Sequence, residues 1–515
     1  MDMQVKKKLG LKEKYALMTR DLGWETTYES MDDVYPYMKF EGIKIHDWDK
    51  WEDPFRLTMD SYWKYQAEKE KKLYAIIDAF AQNNGHLSVT DARYINALKL
   101  MLSAFPSLEY ASHRGFAHIG RQMRGVGPSV ACQMQSIDEI RHAQTQIHSL
   151  SNYNKFYNGM HDWRHMNDHM WYLSVAKSFF EDATTAGPFE FITAIGFSFE
   201  YVLTNLVFVP FISGAAFNGD MAAMTFGFSA QSDEARHMTL GLEFIKFMLE
   251  QDPNNLPIVQ GWIDKWTWRG VRVLTLVAMM MDYMLPKRVM SWKEAWHIYF
   301  EENGMALFND LARYGIKIPT CVEQIRKEQD HISHQAWLSF YSAGAMTNFH
   351  TWLPSEDELD WLSSKYPTTF DKYYRPRFDL LRERAEKGER FYSKTMPMLC
   401  QTCQIPLLFT EPDDPTTIAY RETTYSGNKF HFCSDHCKCI FEKEPEKYSQ
   451  AWLPAHQIAM GNCFAEGDDP TAPGFDPIAS LMKHWNLRHG TDNLDFDGSE
   501  DQKNFAAWRE ASTKN

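Results

Sequence analysis

The sequence predicts a mainly α-helical protein: a large helical bundle with extra helices, followed by a small cysteine-rich region. Three observations predict this fold. Residues from about 55 to 350 are rich in Leu, Met, Ala and aromatic residues at helical spacing. The segments DEIRH (138–142) and DEARH (233–237) are near copies of each other on two separate predicted helices. Half of the eight cysteines lie between residues 400 and 437.

The composition excludes several classes of protein. Apolar residues make up 44% of the 515 residues, so the chain can bury a sizeable core. A net charge of −14 disfavours binding of nucleic acid or anionic membranes through the whole surface. Eight cysteines are too few for a disulfide scaffold, and the first twenty residues contain no apolar signal segment. We therefore expect a cytoplasmic protein.

One apolar stretch, residues 191–217, is long enough to cross a membrane. Glu200 lies near its centre, and a carboxylate in the middle of a bilayer costs considerable free energy. The stretch is therefore interpreted as a buried bundle helix that carries one functional carboxylate, and no membrane contact is expected.

Helix boundaries follow from capping signals. Asp91 is placed to cap a helix that begins at residue 92, and Gly127-Pro128 is placed to open the next one. Further helices are predicted over 167–181, 189–212, 219–250 and 257–285. The predicted division of the chain is an N-terminal extension (1–90), a four-helix-bundle core with added helices (91–320), further helices (321–395), a zinc-binding region (396–450) and an irregular tail (451–515).

Two Glu-x-x-His motifs predict a metal centre. Residues three apart on a helix share a face, so the Glu and His of each motif can bind one ion. A single glutamate precedes each motif by 30 or 34 residues. Two such motifs plus two single glutamates are typical of the two-metal site of ferritin-like bundles, and carboxylate and imidazole ligands suit iron or manganese. The six candidate ligands are Glu109, Glu139, His142, Glu200, Glu234 and His237.

The alternative interpretation is chance, because one Glu-x-x-His on a helix is common. Two near-identical copies, each preceded by a glutamate, are much more specific. Asp138 and Asp233 precede the motif glutamates and are placed to accept a hydrogen bond from a ligand histidine, each from the histidine of the other helix. Their alternative role is a surface salt bridge with Arg141 or Arg236.

Two short-spaced cysteine pairs predict a second, structural metal site. Four thiolates in a reducing compartment are typical of tetrahedral zinc, which leaves no open position for catalysis. The predicted zinc ligands are Cys400, Cys403, Cys433 and Cys437. Cys439, His431 and His436 remain alternatives for the fourth position.

An apolar substrate pocket is expected beside the carboxylates, although each of its aromatic residues could instead be ordinary core. Phe180 is a further candidate, and His161, His165 and His169 are interpreted as surface or interface residues. The predicted pocket residues are Phe105, Leu108, Ser112, Phe179 and Phe199.

The motifs together carry a resemblance to a known family. EYASHRG (109–115), DEIRH, FEYVLTN (199–205) and QSDEARH (231–237) resemble the hydroxylase α subunits of bacterial multicomponent monooxygenases, and within them the phenol hydroxylase large subunits. KFHFCSDHCKCIFEKEPEKY (429–448) resembles a YHS-type metal-binding module. The resemblance implies that the first Glu, Glu-x-x-His set binds one iron and the second set the other.

The resemblance also implies roles for neighbouring residues. Thr204 corresponds to an active-site Thr linked to O₂ activation and proton delivery, and Asn205 to a residue linked to gating. Gln231 fits the pattern one turn before Glu234. From the sequence alone, Thr204 could equally bond its own helix backbone. Gln146 stands where the related radical-generating ribonucleotide reductase subunit would have a Tyr, which argues against that relative.

The implied activity is O₂- and NADH-dependent hydroxylation of phenol to catechol at two irons. The chain has no GxGxxG fingerprint and no ferredoxin cysteine spacing, so we expect it to bind neither flavin nor NAD. The implied partners are an FAD and iron–sulfur reductase, a regulatory protein, and two smaller hydroxylase subunits in a dimeric complex. Two alternatives remain: the α subunit of a toluene or benzene monooxygenase, and a non-catalytic or ferroxidase-type ferritin-like protein.

Overall fold

A computed structural model describes residues 8–23, 25–36, 40–89, 91–156, 173–342, 353–387, 398–451, 464–476 and 480. The fold is mainly α-helical, with a small cysteine-rich region near the C-terminus, as the sequence predicted. The candidate histidine cluster at 161–169 lies outside the described residues.

Ten α-helices are described between residues 8 and 279, and five of them have more than 20 residues. They are α1 (Leu11–Ala16), α2 (Met31–Val34), α3 (Met59–Gln82), α4 (Ala92–Gln122), α5 (Val126–Tyr153), α6 (Ser174–Thr184), α7 (Pro188–Ile192), α8 (Asn205–Phe217), α9 (Met221–Gln251) and α10 (Leu256–Met279). Segments of π-helix extend α1 (Leu17–Asp21), α7 (Thr193–Tyr201) and α10 (Met280–Met284). Short 3₁₀ turns lie at Trp48–Lys50, Gly85–Ser88 and Pro253–Asn255.

Shorter helices follow. They are α11 (Trp292–Trp296), which continues as π-helix over His297–Gly304, then α12 (Met305–Leu311), α13 (Val322–Glu328), α14 (Ile332–Ser342), α15 (Glu356–Lys365), α16 (Phe370–Tyr373), α17 (Arg375–Glu386), α18 (Asp435–Lys443) and α19 (Pro445–Ser449), with a 3₁₀ turn at Ala312–Tyr314.

Four elements form the core of the bundle: α4, α5, the π-helical segment after α7, and α9. α4 packs along α5, and α9 packs against the π-helical segment and against α5. Helices α4 and α9 both begin at side-chain caps. The Asp91 carboxylate accepts a hydrogen bond from the backbone N–H of Arg93, and that of Asp220 from Ala223. The cap predicted at Asp91 is therefore present.

The single helix predicted over 189–212 is wrong. The chain forms α7, a π-helical segment and α8, with a bend of 43° between Pro188–Tyr201 and Asn205–Phe217. At the bend, the hydroxyl of Thr204 donates a hydrogen bond to the carbonyl of Phe199, five residues earlier, at 3.3 Å. This five-residue spacing is that of a π-helix. Among the described helices no single one is long and apolar enough to span a membrane, although this bent pair passes by length and composition.

Helix α3 lies in the segment that the sequence predicted to be an extension. It packs against α9 and α5, and four of its residues are buried: Tyr62, Gln66, Leu73 and Ile77. The bundle therefore includes a helix on the N-terminal side of residue 90.

The cysteine-rich region contains two antiparallel hairpins. Strand β1 (Thr410–Glu411) pairs with β2 (Asp414–Ile418), and β3 (Arg421–Tyr425) pairs with β4 (Asn428–Phe432). α18 and α19 follow, and α18 contacts α10 of the bundle. We call residues 398–451 the four-cysteine module.

Candidate metal centre

The two Glu-x-x-His motifs meet in the middle of the bundle. Ligand atoms of Glu109, Glu139 and His142 lie within 4.8 Å of one another, and so do those of Glu139, Glu234 and His237. Nδ1 of His142 is 3.4 Å from Glu109, and Nδ1 of His237 is 3.3 Å from Glu139. Glu139 belongs to both groups, which is the position of a carboxylate that bridges two ions.

Glu200 faces the same centre from the π-helical segment. Its side chain is buried, and both carboxylate oxygens accept hydrogen bonds from the side-chain amide of Gln135, at 3.0 and 2.8 Å. Gln135 lies one helical turn before Glu139, so α5 supplies both a ligand candidate and the group that holds Glu200 in place.

Each histidine is held by the aspartate of the opposite motif. Nε2 of His142 lies 3.1 Å from Asp233, and Nε2 of His237 lies 3.2 Å from Asp138. This is the crosswise arrangement that the sequence predicted. Because Nε2 donates outward to a carboxylate, Nδ1 of each ring is left to face the centre.

Helix α3 adds a further layer behind the aspartates. The side-chain amide nitrogen of Gln66 donates to Asp138 at 2.8 Å and to Asp233 at 2.9 Å, so one amide joins the two halves of the site. The Tyr62 hydroxyl donates to Asp138 at 2.6 Å, and Nζ of Lys69 lies 2.5 Å from Asp233.

The arginines of the two motifs also contact these carboxylates. Nη1 of Arg141 lies 3.0 Å from Asp138, and Arg236 contacts Asp138 as well. These arginines are mostly buried, so the surface salt bridge considered for the aspartates is instead part of a buried network.

Two glycines allow the helices to approach closely. A Cβ atom built on Gly241 would lie 2.1 Å from the carbonyl oxygen of Gly196. Gly241 lies one turn after His237, and Gly196 lies one turn before Glu200. The backbones of α9 and the π-helical segment therefore touch where each carries a candidate ligand.

Burial and mutual repulsion set the protonation of the carboxylates. Burial raises the pKa of Glu200 well above its ordinary range, and the charges of Glu234 and Glu139 add to this effect. Burial also raises the pKa of Glu139 to about 7. For His142, burial acts to lower the pKa, but the negative charge of Glu109 and the hydrogen bond to Asp233 outweigh it and raise the pKa.

These residues fit a pair of metal ions. Nδ1 of His142, Nδ1 of His237 and Oε2 of Glu234 are buried and make no hydrogen bond with any described residue. All three atoms point into the centre, where a cation would satisfy them. Four carboxylates carry −4, which two divalent ions would neutralise in a site of low dielectric constant.

A cavity of about 100 Å³ opens directly on the carboxylates. Its lining is almost wholly apolar, and Glu109, Glu139, Glu200 and Glu234 form its polar end. Apolar cavities of this scale, about 150 Å³ in an engineered case, take up a benzene ring. The arrangement can hold an apolar ring against a metal centre and keep bulk water away from it.

The residues that line this cavity can be compared with the five predicted pocket residues. Of the five, four line it: Phe105, Leu108, Ser112 and Phe199. Phe179 does not; Phe180 lines the wall instead. The two side chains point about 100° apart on α6, and Phe180 is the one that faces the cavity. Phe179 packs behind the wall, with its ring 5.2 Å from that of Phe199.

The three residues that the resemblance singled out are placed differently. Thr204 is buried and lines the cavity, while its hydroxyl also bonds the helix backbone. Asn205 and Gln231 are partly exposed and do not line the cavity. Their roles stay predictions.

The four cysteines of the second site converge as predicted. The sulfur atoms of Cys400, Cys403, Cys433 and Cys437 lie within 4.8 Å of one another, and all four side chains are buried. The sulfurs of Cys403 and Cys433 are 3.6 Å apart. Tetrahedral zinc with bonds of about 2.3 Å requires sulfurs about 3.8 Å apart, so the cluster fits this ion.

Local structure explains this convergence. Cys400 and Cys403 lie in a tight turn that Gln404 closes with a positive φ of 61°. Cys433 follows β4, and Cys437 lies in the first turn of α18, whose N-cap is Ser434. The alternative fourth ligands lie outside the cluster: Cys439 is exposed, His431 bonds Tyr420, and His436 packs against the ring of Trp268.

The sequence interpretation missed several residues that contact the candidate ligands. Gln135, Glu139, His142 and Gln146 lie on one face of α5, and Gln146 donates to Glu109 at 3.0 Å. Helical spacing from the motif could have identified both glutamines. Gln66 and Lys69 carried no such signal, because their contacts are distant in the chain.

Comparisons with known proteins identify relatives over nearly the whole chain. The family model described as methane/phenol/alkene hydroxylase matches residues 24–252, and the YHS domain model matches residues 409–452. The oxygenase component DmpN of phenol 2-monooxygenase from Pseudomonas sp. (strain CF600) is 62% identical over 98% of this chain and 95% of its own length. The alkene monooxygenase oxygenase α subunit of Xanthobacter autotrophicus is 27% identical over 84% of this chain and 87% of its own.

A solved structure agrees over nearly the whole chain. The crystal structure of xenon-pressurized phenol hydroxylase from Pseudomonas sp. OX1 superposes with a TM-score of 0.91 at 61% identity. The match covers 97% of this chain and 100% of that one.

Proposed function

This chain belongs to the methane/phenol/alkene hydroxylase family, and from that premise we propose that it is the catalytic hydroxylase subunit of a multicomponent monooxygenase that converts phenol to catechol. The observation that carries the proposal is the apolar cavity whose polar end consists of the four clustered glutamates. A storage or purely structural protein has no need of an apolar cavity at its metal ligands.

The proposed cofactor is a carboxylate-bridged pair of irons. Glu109, Glu139 and His142 would hold one iron, and Glu200, Glu234 and His237 the other. The geometry supports Glu139 as a ligand shared between them. Once bound, the irons would supply the reduction and activation of O₂, with one oxygen atom entering the ring and the other leaving as water.

The chain's own residues prepare the site for this chemistry. Asp138 and Asp233 orient the two imidazoles, and Gln135 holds Glu200 against the cavity. Apolar walls position the ring and exclude water, which protects a reactive centre from side reactions. The Thr204 hydroxyl is proposed to hold and deliver a proton at the cavity surface.

The remaining roles complete the proposal. Asn205 would respond to a regulatory protein, and Gln231 would belong to the catalytic residues. Two electrons from NADH would arrive through a separate FAD and iron–sulfur reductase. Two smaller subunits would complete a dimeric hydroxylase in the cytoplasm. The four-cysteine module would hold one structural zinc. The proposed division of the chain into segments keeps its boundaries at residues 90, 320, 395 and 450. Helix α3 belongs to the first segment and packs onto the core.

The deciding experiment measures product formation. The purified hydroxylase, with iron content verified, is combined with its reductase and regulatory protein and given NADH, ¹⁸O₂ and equal phenol and toluene. Labelled catechol as the main product supports the proposal. Mainly labelled cresols would keep the monooxygenase chemistry and assign the chain to toluene or benzene oxidation. No labelled product from an iron-loaded preparation would overturn the substrate class.

A matched pair of variants tests the metal centre itself. Glu234→Ala should lose both bound iron and turnover. Glu243→Ala makes the same change on the same helix, at a residue that pairs with Lys246 away from the centre, and should keep both. Unchanged turnover in Glu234→Ala would contradict the proposed ligand set.

A further inference from the structure

The four-cysteine module touches the bundle at two helices that also line the cavity. Helix α10 contributes Val273, Leu276 and Val277 to the cavity wall, and α6 contributes Ala176 and Phe180. The same two helices carry the residues that contact the module. The module and the cavity therefore contact the same two helices.

Arg269 is the residue at which these elements meet. Its guanidinium donates to the carbonyl of Thr402, in the turn between the first two cysteines. It also donates to the carbonyl and hydroxyl of Ser178 on α6, at 2.9 and 3.2 Å. The side chain is only 1% exposed, so one buried cation joins α10, α6 and the cysteine turn.

The position of Arg269 along α10 connects these contacts to the cavity. Val273 lies one turn later, and Leu276 and Val277 lie a further turn on, so all four residues share a face of the helix. On α6, Ser178 lies between the two cavity residues Ala176 and Phe180. The hydrogen bonds of Arg269 therefore join two neighbouring pieces of cavity wall, those on α6 and α10.

Trp268, which precedes Arg269 in α10, contacts the cysteine cluster itself. The indole N–H of Trp268, which is completely buried, donates to the sulfur of Cys437 at 3.1 Å. A thiolate bound to a metal is a stronger acceptor than a neutral thiol, so this contact depends on the state of the cluster.

Asp182 provides a third set of contacts between the module, α6 and α10. The Tyr448 hydroxyl donates to Asp182 on α6 at 2.7 Å, and Asp182 lies 3.4 Å from Arg269. The positive charge of Arg269 is thus balanced by Asp182 and lies close to the sulfurs, where thiolates would carry negative charge.

We propose that Arg269 is a positioning residue through which the metal-bound four-cysteine module sets the width of the substrate cavity. The proposal rests on the proposed function for the identity of the ring that the cavity takes. The module then does more than stabilise the chain: when it loses its metal, the spacing of α6 and α10 is no longer fixed, and the cavity binds its ring less well.

The test uses the assembled hydroxylase with iron and zinc contents measured in every sample. Arg269→Met removes the donors and keeps the length of the side chain, and Arg269→Lys restores the charge. The control is Arg421→Met, which breaks ion pairs with Glu411 and Asp435 inside the module and does not touch α10. Binding of 4-fluorophenol to the oxidised protein is followed by ¹⁹F NMR without any turnover.

We expect Arg269→Met to keep its irons and to bind 4-fluorophenol roughly tenfold more weakly, since losing charge-assisted hydrogen bonds shifts an equilibrium by about that factor. Amide hydrogen exchange should become faster in residues 273–284 and 174–184, and stay unchanged in α9. Arg269→Lys should recover part of the affinity, and Arg421→Met should match the wild type. Wild-type affinity in Arg269→Met, or an equal loss in Arg421→Met, would overturn the proposal.

A second measurement covers the case in which Arg269→Met does not fold. Removing zinc from the wild-type complex with a chelator should speed exchange in the same two segments, and unchanged exchange there would overturn the proposal. Failure of the proposed function looks different: the wild type would then fail to bind 4-fluorophenol, while the exchange data would still report the coupling.

Discussion

Oδ2 of Asp233 lies 3.1 Å from Nε2 of His142, so the second motif holds the histidine of the first. Although burial alone would raise the pKa of Asp233, its hydrogen bond with His142 and the charges of His142 and Lys69 outweigh this, and the pKa is held well below its ordinary value. Asp233 therefore stays ionised and fixes the ring so that Nδ1 faces the centre.

Asp233→Asn should weaken retention of iron by about 10- to 100-fold, because outer-shell carboxylates of metal-bound histidines have effects of that size. The measurement is iron content after dialysis against a graded series of chelator concentrations. Glu243→Gln, on the same helix and away from the centre, is the control. Equal retention in Asp233→Asn and wild type would show that the carboxylate does not orient the ligand.

Gln66 should affect both irons together, since its amide donates to both Asp138 and Asp233. In Gln66→Met the two aspartates lose a shared donor, and both iron signals in the Mössbauer spectrum should shift. Asp233→Asn should mainly change the signal of the iron next to His142. A Gln66→Met spectrum in which a single site changes would contradict the bridging role.

Gly241→Ala should destabilise the protein by about 1–3 kcal/mol, the usual cost of overpacking. The added methyl would meet the backbone of Gly196, so α9 and the segment carrying Glu200 must separate. Gly261 on α10 offers the matched control, because nothing lies within 4 Å of its added Cβ. Gly261→Ala should gain up to about 1 kcal/mol from helix propensity. Thermal unfolding of both variants measures whether the unfolding temperature falls in Gly241→Ala and rises in Gly261→Ala.

Glu41 should make stability depend on pH. Its carboxylate accepts a hydrogen bond from the backbone N–H of Glu190 at 2.8 Å, and burial raises its pKa to about 8 from the ordinary 4.5. Folding therefore favours the neutral acid. The stabilisation is complete below the unfolded pKa of 4.5 and is lost as the pH rises through about 8.

Glu41→Gln keeps the acceptor oxygen and cannot ionise. Between pH 5 and 8 the unfolding midpoint of the wild type should fall relative to that of the variant, and the difference should level off at higher pH. Thermal unfolding of both proteins across this range is the measurement. Parallel curves would mean that Glu41 titrates at its ordinary pKa in the folded state.

Local patterns allowed the sequence to predict the ligand helices and the cysteine cluster. The repeated Asp-Glu-x-Arg-His pentapeptide fixes a helical face by itself, and short cysteine spacings limit how the sulfurs can meet. The crosswise aspartates could be predicted because the two helices must face each other for both motifs to meet at one centre.

Features that depend on tertiary packing could not be predicted in this way. Eight of the 24 residues of helix α3 are charged, and the burial of Gln66 appears only when the helix is docked on α9. Neither the π-helical segment around Glu200 nor the close approach of Gly196 to Gly241 is visible in the periodicity of the sequence. The choice between Phe179 and Phe180 turned on a rotation of about 100° along one helix.

Ala176 offers a direct test of the cavity, because its side chain forms part of the wall on α6. In Ala176→Leu the larger side chain extends into empty space, so the unfolding temperature should stay close to that of the wild type. The KM for phenol should rise severalfold. The KM for 4-methylphenol should rise more, because its methyl group needs the space that Leu fills. Steady-state kinetics with both substrates give the ratio of the two KM values.

Ala131→Leu makes the same change at a buried residue of α5 that does not line the cavity. There the leucine should lower the unfolding temperature by overpacking and leave the ratio of the two KM values unchanged. If Ala176→Leu left that ratio unchanged, the substrate ring would have to bind outside this cavity.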